Sequence, residues 1–334
     1  MRKNQPYPDS SRYIGSPPVN PHESYESCTL CPRNCGVNRL QAERGFCGES
    51  AQVRVAWAGL HRGEEPPLVG EHGSGTIFFS GCTLKCDSCQ NCQLSREGMG
   101  AEVSDSGLVE MMLRLQERRA ANINLVTASH FAPSAVEVIV KARQRGLSIP
   151  VVWNSSGYEK ASTLELLRPV VDLYLPDCKT LDARLSRSLM KANNYPQIVR
   201  SAVLKMVAGK PPHYAGGKLR RGVIMRHLVL PDLLEQTREV LCWFAAELKG
   251  RALLSLMFQF TPVHRETEGM LARRTISVSE YEEVLSWLEE LEIEEGFVQD
   301  PADSDEWLPD FTRLNPFPQD QAEPLWHYKC GYID

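Results

Sequence analysis

From residue 76 onward, short apolar runs alternate with amphipathic stretches, and this rhythm constrains the fold more than any other feature. Several runs are nearly continuous in apolar residues, which is typical of parallel strands that are buried on both faces. The predicted strands are 76–80, 123–127, 149–153, 170–175, 222–230 and 252–260. The predicted helices are 105–120, 133–145, 161–168, one or two within 181–208, and 232–248.

Helical connections between parallel strands either curl the sheet into a barrel or leave it open and doubly wound. The six predicted units are too few for an eight-stranded barrel, and no G-x-G-x-x-G nucleotide motif follows the first strand. We therefore expect an α/β fold with a partial (β/α)6 TIM-like barrel, an N-terminal Cys-rich metal loop and a C-terminal extension. In parallel α/β folds, ligands bind at the carboxyl ends of the strands.

Changes of composition divide the chain into four predicted segments. They are an extended arm (1–27), a Cys-rich metal-binding segment with a hairpin (28–75), the partial-barrel core (76–264), and a C-terminal helix, strand and covering tail (265–334). The hairpin is predicted from alternation at 52–60, and the C-terminal helix and strand are predicted at 279–291 and 296–299. The tail is predicted to pack over the barrel because it is rich in aromatic residues, which include Trp307, Phe311, Phe317 and Trp326.

Charge and cysteine usage exclude several classes of protein. The 334 residues carry a formal net charge of −5, so no overall basic field predicts binding to nucleic acid or to an anionic membrane. No apolar run reaches the roughly 18 residues that a membrane-spanning helix needs, and the polar start lacks the apolar region of a signal peptide. Eight of the 11 cysteines lie between Cys28 and Cys92, which indicates metal chemistry in a reducing compartment. We expect a cytoplasmic metalloprotein.

A loop with three cysteines follows the first predicted strand, in the stretch Gly81-Cys82-Thr-Leu-Lys-Cys86-Asp-Ser-Cys89. Soft thiolates favour iron–sulfur clusters or zinc. Three thiolates at this spacing can each bind one iron of a cube-shaped cluster, which leaves the fourth iron open to a substrate or cofactor. The alternatives are a zinc site completed by Cys92 and a set of unrelated core thiols. Zinc is disfavoured because tetrahedral zinc sites usually come as two paired C-x2–4-C hooks.

A second set of cysteines, Cys28, Cys31, Cys35 and Cys47, falls within twenty residues and has glycines beside Cys35 and Cys47. Glycine permits the tight turns that bring backbone amides toward the sulfurs. The set predicts a second metal site. The metal is left open between zinc and iron–sulfur, because the spacing C-x2-C-x3-C-x11-C fits neither family cleanly. The sequence does not distinguish a structural role for this site from a catalytic one.

Polar side chains end the predicted strands. They are Ser129 and His130 after the second strand, Asn154 and Ser155 after the third, Asp177 and Lys179 after the fourth, Arg226 and His227 within the fifth, and Thr261 and His264 after the sixth. For any one of them, a strand-end cap is as good an interpretation as a ligand contact. The prediction of a site depends on their convergence on one face of the sheet.

These motifs together resemble the radical S-adenosylmethionine (SAM) superfamily, and within it the branch similar to the pyruvate formate-lyase-activating enzyme, in particular a cysteine-rich subgroup of uncharacterised members. The resemblance extends from about Cys28 to His264 and includes the segments 73–81, 154–157 and 175–179. It implies a [4Fe–4S] cluster on Cys82, Cys86 and Cys89, with SAM at the open iron. Ser88 departs from the pattern, because the superfamily usually has an aromatic residue there, near the adenine.

The resemblance also implies which residues contact SAM. Lys179 would reach the SAM carboxylate with Asp177 nearby, and the turn 154–157 would lie beside the ribose and the methionyl group. Ser129 or His130 would replace the backbone contacts that a Gly-Gly-Glu-Pro segment usually makes to the SAM amino group. The full set of candidate cofactor-binding residues is Ser129, His130, Asn154, Ser155, Asp177, Lys179 and Arg226. Cys92 is interpreted as a pocket thiol, and no residue is assigned as catalytic.

The function that this resemblance implies is reductive cleavage of SAM at the cluster, which gives a 5′-deoxyadenosyl radical for hydrogen-atom abstraction. The substrate would be a glycyl residue of a partner enzyme, another peptide or a small molecule, and the electron would come from a flavodoxin or ferredoxin. The alternative is a zinc- or iron–sulfur-binding structural or electron-transfer protein without SAM chemistry. A TIM-like hydrolase would need a catalytic dyad, and the sequence suggests none.

Overall fold

The computed structural model describes residues 23–215, 218–263, 271–301 and 308–333, without the side chain of Lys218. Most of the predicted arm, together with His264 and Trp307, lies outside these ranges. The strands are β1 (Arg54–His61), β2 (Ser74–Phe79), β3 (Ala101–Glu102), β4 (Ile123–Val126), β5 (Val151–Ser155), β6 (Leu173–Pro176), β7 (His213–Ala215), β8 (Lys218–Leu228), β9 (Leu253–Met257), β10 (Gly296–Val298), β11 (Ala322–His327) and β12 (Gly331–Tyr332).

The helices connect and cover the strands. They are α1 (Glu23–Glu26), α2 (Pro66–Val69), α3 (Cys92–Ser95), α4 (Asp105–Glu117), α5 (Ala132–Gln144), α6 (Ala161–Leu167), α7 (Ala183–Met190), α8 (Tyr195–Gly209), α9 (Leu234–Glu247) and α10 (Val278–Glu290). The N-terminus of α4 is capped by Ser104, whose hydroxyl accepts the Gly107 amide at 3.2 Å. None of the helices described is long and apolar enough to cross a membrane.

One sheet organises the fold, with strand order β10-β9-β8-β6-β5-β4-β2-β1-β11-β12, while β3 pairs with β1 and β7 with β8. The six strands β2, β4, β5, β6, β8 and β9 run parallel, and β10 adds a further parallel strand. Every residue of β2, β4, β5 and β6 is buried, which explains their nearly continuous apolar sequences. The predicted parallel α/β core is confirmed.

Some strand boundaries differ from those that the sequence predicts. Strand β5 starts two residues later than predicted, after Pro150, and continues through Asn154 and Ser155. These two polar residues pair with Leu175 and Pro176 of β6, so the ladder extends past the apolar run. Strand β8 starts earlier than predicted because its first residues form an antiparallel hairpin with β7, which has no apolar signature.

The segment before β2 forms more than the predicted hairpin. Strand β1 pairs antiparallel with β2, as expected, but the connection between them reaches β8. Leu68 of α2 is buried in one apolar cluster with Leu219 and Ile224, and Glu65 forms an ion pair with Arg226 of β8 at 2.6 Å. A stretch that reads as a Gly/Pro-rich loop therefore fills part of the sheet's interior.

The C-terminal segment covers the edge of the sheet. Strand β11 pairs antiparallel with β1, and β12 pairs with β11. Phe311 and Phe317 pack on Trp57 and Phe78 with ring centroids 5.3–5.6 Å apart. At the other end of the described chain, the last residues of the predicted arm form the short helix α1, which buries Tyr25.

Candidate functional site

The loop with Cys82, Cys86 and Cys89 follows the carboxyl end of β2 and turns sharply at Gly81. The φ of Gly81 is +77°, and a Cβ there would lie 2.8 Å from the carbonyl oxygen of Cys47. Only glycine adopts this conformation and tolerates this contact without strain. The turn directs the thiols back over the ends of the parallel strands. Cys82 and Cys86 are buried, and Cys89 is half-buried.

Hydrogen-bond donors face two of these sulfurs. The amide of Leu84 donates to Cys82 Sγ, and the hydroxyl of Ser95 donates to Cys89 Sγ, both at 3.3 Å. Burial raises the pKa of all three thiols, that of Cys86 to about 12, whereas the Lys179 ammonium acts in the opposite direction on each. Because metals bind the thiolate form, bound metal would supply the positive charge that these buried sulfurs need.

A cavity of about 720 Å³ opens beside this loop, at the carboxyl ends of the strands. It is lined by all three cysteines of the loop and by five of the seven predicted cofactor-binding residues. Those five residues are Asn154, Ser155, Asp177, Lys179 and Arg226. The tertiary structure therefore brings the predicted cluster ligands and most predicted SAM contacts to one cavity.

Lys179 and Asp177 form an ion pair on the wall of the cavity, with Nζ and Oδ2 2.8 Å apart. Burial alone would lower the pKa of Lys179, but the charges of Asp177 and Cys86 outweigh it and raise that pKa above its ordinary value. The hydroxyl of Tyr195 accepts the Lys179 amide at 3.0 Å and lies 2.9 Å from the carbonyl oxygen of Asp177. Tyr195 thus fixes the backbone that carries both charges.

A family of proteins described as "4Fe-4S single cluster domain" matches residues 69–198, which contain Cys82, Cys86 and Cys89. The uncharacterized protein MJ0674 of Methanocaldococcus jannaschii is 30% identical over 276 residues, which are 81% of this chain and 76% of the relative. The chain belongs to the same family as this relative.

Three solved structures are also similar in part. A domain of a pyruvate-formate lyase-activating enzyme from Bacteroides vulgatus is 9% identical, covers 51% of this chain and 91% of its own, and has a TM-score of 0.36. Streptococcus suis SuiB bound to S-adenosylmethionine is 12% identical, with 66% of this chain and 45% of SuiB covered and a TM-score of 0.43. A radical SAM methyltransferase from Sphaerobacter thermophilus is 16% identical, with 68% and 66% covered and a TM-score of 0.48.

The donor set fits the [4Fe–4S] cluster that the sequence resemblance implies and that the description of the matched family names. Three soft thiols lie on one short loop beside a cavity, and the Lys179 ammonium lies near them. Within the described ranges, no three His, Cys, Asp or Glu side chains converge as ligands of one metal ion. A cube does not need that convergence, because each thiolate binds a different iron.

Arg226 lines the cavity, but its guanidinium is already held by two carboxylates. Its Nε lies 2.6 Å from Glu65 Oε1, and its Nη2 also pairs with Glu64. Burial would raise the pKa of Glu64, but Arg226 and His61 outweigh it and lower that pKa to about 2. Asn124 donates a further hydrogen bond to Glu64 at 2.9 Å. The sequence analysis missed both glutamates, because two adjacent carboxylates in a Gly/Pro-rich loop have no distinctive pattern.

Ser129 and His130 are buried beside the cavity rather than on its wall. The Ser129 hydroxyl donates to Glu159, and His130 Nε2 lies 2.7 Å from the carbonyl oxygen of Ser80. Burial and the charge of Arg39 lower the pKa of His130 to about 3, so its ring is neutral. Their side chains are committed to these partners, whereas Thr127 of the same turn lines the cavity. Their predicted backbone contacts to SAM stay a prediction.

The remaining residues that the sequence singled out lie partly on the cavity wall and partly in the interior. Ser88 lines the cavity, whereas Cys92 starts α3 and does not line it, so the interpretation of Cys92 as a pocket thiol is wrong. His227 is buried, with Nδ1 2.7 Å from the carbonyl oxygen of Cys178 and Nε2 3.0 Å from Thr237 Oγ1. These two bonds make His227 an internal anchor of β8. Thr261 is buried.

Proposed function

We propose that this protein is a radical SAM enzyme, which cleaves SAM reductively and uses the resulting radical to remove a hydrogen atom from a substrate bound in the same cavity. The observation that carries the proposal is that the three loop cysteines and the Lys179–Asp177 pair line one cavity of about 720 Å³. When bound, the [4Fe–4S] cluster and SAM supply the electron transfer, the cleavage of the S–C5′ bond and the 5′-deoxyadenosyl radical.

The chain's own residues bind and orient the cofactors. Cys82, Cys86 and Cys89 would hold three irons, and the Lys179 ammonium would pair with the SAM carboxylate. Asn154 and Ser155, at the carboxyl end of β5, offer amide and hydroxyl groups to the ribose or methionyl portion of SAM. The polar end of a buried parallel strand suits this task because the backbone there is held on both sides by its neighbours.

Apolar side chains supply the exclusion of water that a radical reaction requires. Leu228, Leu230 and Met257 line the cavity from β8 and β9 and from the chain after β8, and Phe317 lines it from the C-terminal segment. Phe317 is itself fixed by Trp57, with their ring centroids 5.4 Å apart. A wall of this kind protects a reactive species from hydrolysis and from side reactions.

The substrate in this proposal is a glycyl residue of a partner enzyme, another peptide or a small molecule with a C–H bond that can reach the cavity. The electron is supplied by a one-electron donor of the flavodoxin or ferredoxin class. Hydrogen transfer from the substrate leaves 5′-deoxyadenosine, methionine and a substrate radical, so each turnover uses one SAM and one electron.

The test is to incubate the anaerobically purified, dithionite-reduced enzyme with SAM and to quantify 5′-deoxyadenosine and methionine. We expect both products in equal amounts, formed slowly even without a substrate. A fully clustered enzyme that makes no 5′-deoxyadenosine would overturn the proposal. Candidate substrates carrying deuterium are then compared, because a true hydrogen donor transfers its label to 5′-deoxyadenosine.

A further inference from the structure

The four cysteines of the N-terminal set, Cys28, Cys31, Cys35 and Cys47, come together in space although Cys47 lies on a separate turn. Three are buried and Cys35 is half-buried. Backbone hydrogen bonds close the first turn, from the Gly36 amide to the carbonyl oxygen of Cys28 at 2.9 Å. The turn that carries Cys47 returns to this first turn, since the Phe46 amide reaches Cys35 Sγ.

Donor groups face these sulfurs in the way that a thiolate centre requires. The amide of Phe46 donates to Cys35 Sγ at 3.3 Å. A side chain at Gly45 would meet Cys35, because a Cβ there would lie 2.8 Å from that sulfur. The backbone can approach this thiol so closely because residue 45 is glycine.

A buried cation points at the same group of sulfurs. Arg39 is 1% exposed, and its guanidinium donates to the carbonyl oxygens of Ser50 and His130. Its Nη1 also lies 3.9 Å from Cys28 Sγ. A guanidinium stays charged when it is buried and needs an anionic partner. Four thiolates around a metal centre carry net negative charge and would provide that partner.

This N-terminal set touches the loop of the first cluster directly. The amide of Cys82 donates to the carbonyl oxygen of Cys47 at 3.4 Å. Arg33 joins the two loops, because its Nε donates to the carbonyl oxygen of Thr83 at 2.9 Å and its guanidinium stacks 3.7 Å above the ring of Phe46. A single backbone hydrogen bond thus connects Cys82, a ligand of the first cluster, with Cys47 of the second set.

We propose that Cys28, Cys31, Cys35 and Cys47 bind a second iron–sulfur cluster, which lies against the loop of the SAM-binding cluster. The charge of Arg39 and the spacing would suit zinc equally, but within the described residues no three His, Cys, Asp or Glu side chains converge on one metal ion, as a zinc site requires. A cluster does not need that convergence, because each thiolate binds a different iron. The direct contact with the first loop gives a redox-active centre a use at this position. This inference does not depend on the SAM chemistry proposed above.

The experiment is to measure iron, zinc and sulfide in the full chain purified anaerobically without added metal. We expect about eight irons per chain if both clusters contain four irons, or about six if the second contains two. In the triple variant Cys82→Ala, Cys86→Ala, Cys89→Ala, about four or two irons should remain, with an absorption band and a reduced-state paramagnetic resonance signal. That variant lacks the three ligands of the first cluster, so its iron reports on the N-terminal set alone.

The complementary variant is Cys31→Ser with Cys35→Ser, which should retain only the about four irons of the first cluster. The matched control is Cys242→Ser with Cys330→Ser, two exposed cysteines, which should leave the metal content unchanged. About one zinc per chain beside four irons overturns the proposal, and so does a triple variant that is folded and contains no iron. If the Cys31 and Cys35 variant does not fold, the wild-type and triple-variant iron contents still decide.

Discussion

Lys179 Nζ lies 2.8 Å from Asp177 Oδ2, and both side chains line the cavity beside the cluster loop. Because the two residues are at i and i+2 at the end of β6, an extended backbone directs them to the same side. Asp177 therefore holds the Lys179 ammonium at the wall of the cavity.

We predict that Lys179→Ala raises the SAM concentration needed for cleavage by roughly 10- to 100-fold, because a charge-assisted hydrogen bond contributes about 1.5–3 kcal/mol. The measurement is 5′-deoxyadenosine formation against SAM concentration. Lys249→Ala is the matched control, since Lys249 forms an exposed pair with Glu292 far along the chain. An unchanged SAM dependence in Lys179→Ala would remove the role assigned to Lys179 and leave the radical SAM chemistry standing.

Replacing any one of Cys82, Cys86 and Cys89 by alanine should abolish the SAM-binding cluster, because three thiolates leave no spare ligand. Cys92→Ala is the control: this thiol starts α3, outside the cavity lining, and should be dispensable. Iron content and the reduced-state paramagnetic resonance spectrum in the presence of SAM are the measurements. A lost spectrum in Cys92→Ala, or an unchanged one in Cys86→Ala, would show that the ligands are wrongly assigned.

Arg226→Met should lower the free energy of unfolding by roughly 3–5 kcal/mol, because it leaves the carboxylates of Glu64 and Glu65 buried without their cation. Urea unfolding of the anaerobic protein measures this change. The matched control is Arg238→Met, whose exposed pair with Glu290 at 3.4 Å should contribute at most about 1 kcal/mol. Equal effects of the two variants would contradict a structural role for the buried pair.

The ion pair between Arg226 and Glu64 also predicts how the stability of the protein depends on pH. Arg226 and His61 hold the pKa of Glu64 at about 2, below its ordinary value of 4.5. A carboxyl whose pKa is lowered by folding stabilises the protein above the unfolded-state pKa, and this stabilisation is lost as the pH falls through the folded-state pKa. We expect Glu64→Gln to flatten the fall in thermal unfolding midpoint between about pH 4.5 and 2. An unchanged slope would mean that other carboxyls dominate acid unfolding.

Gly81→Ala should destabilise the cluster loop more than a positive φ alone explains. A Cβ at Gly81 would meet the backbone of Cys47 at 2.8 Å as well as adopt a φ of +77°. Gly146→Ala is the control, because Gly146 also has a positive φ, +102°, but nothing lies within 4 Å of its Cβ position. We expect a loss of iron only in Gly81→Ala, measured beside the thermal unfolding midpoint of both variants. Equal retention of iron would show that the loop can move away from Cys47.

The sequence by itself determined the features that depend on neighbours along the chain. Continuous apolar runs specify strands buried on both faces, and the helix after the cysteine loop begins where Ser104 can cap it. The cluster loop is equally local, since its three thiols and its glycine lie within nine residues. The end of β5 is the exception among the strands. Asn154 and Ser155 are polar, so only pairing with β6 reveals that they belong to the ladder.

Only the tertiary structure decided which partner each buried polar group takes. Arg226 pairs with Glu64 and Glu65 from 161 or 162 positions away, and Ser129 donates to Glu159 instead of facing the cavity. The physical reason is that a buried charge or hydroxyl must be satisfied by whatever group the packed elements bring within about 3 Å. That choice depends on the order and curvature of the strands, which spacing along the chain does not encode.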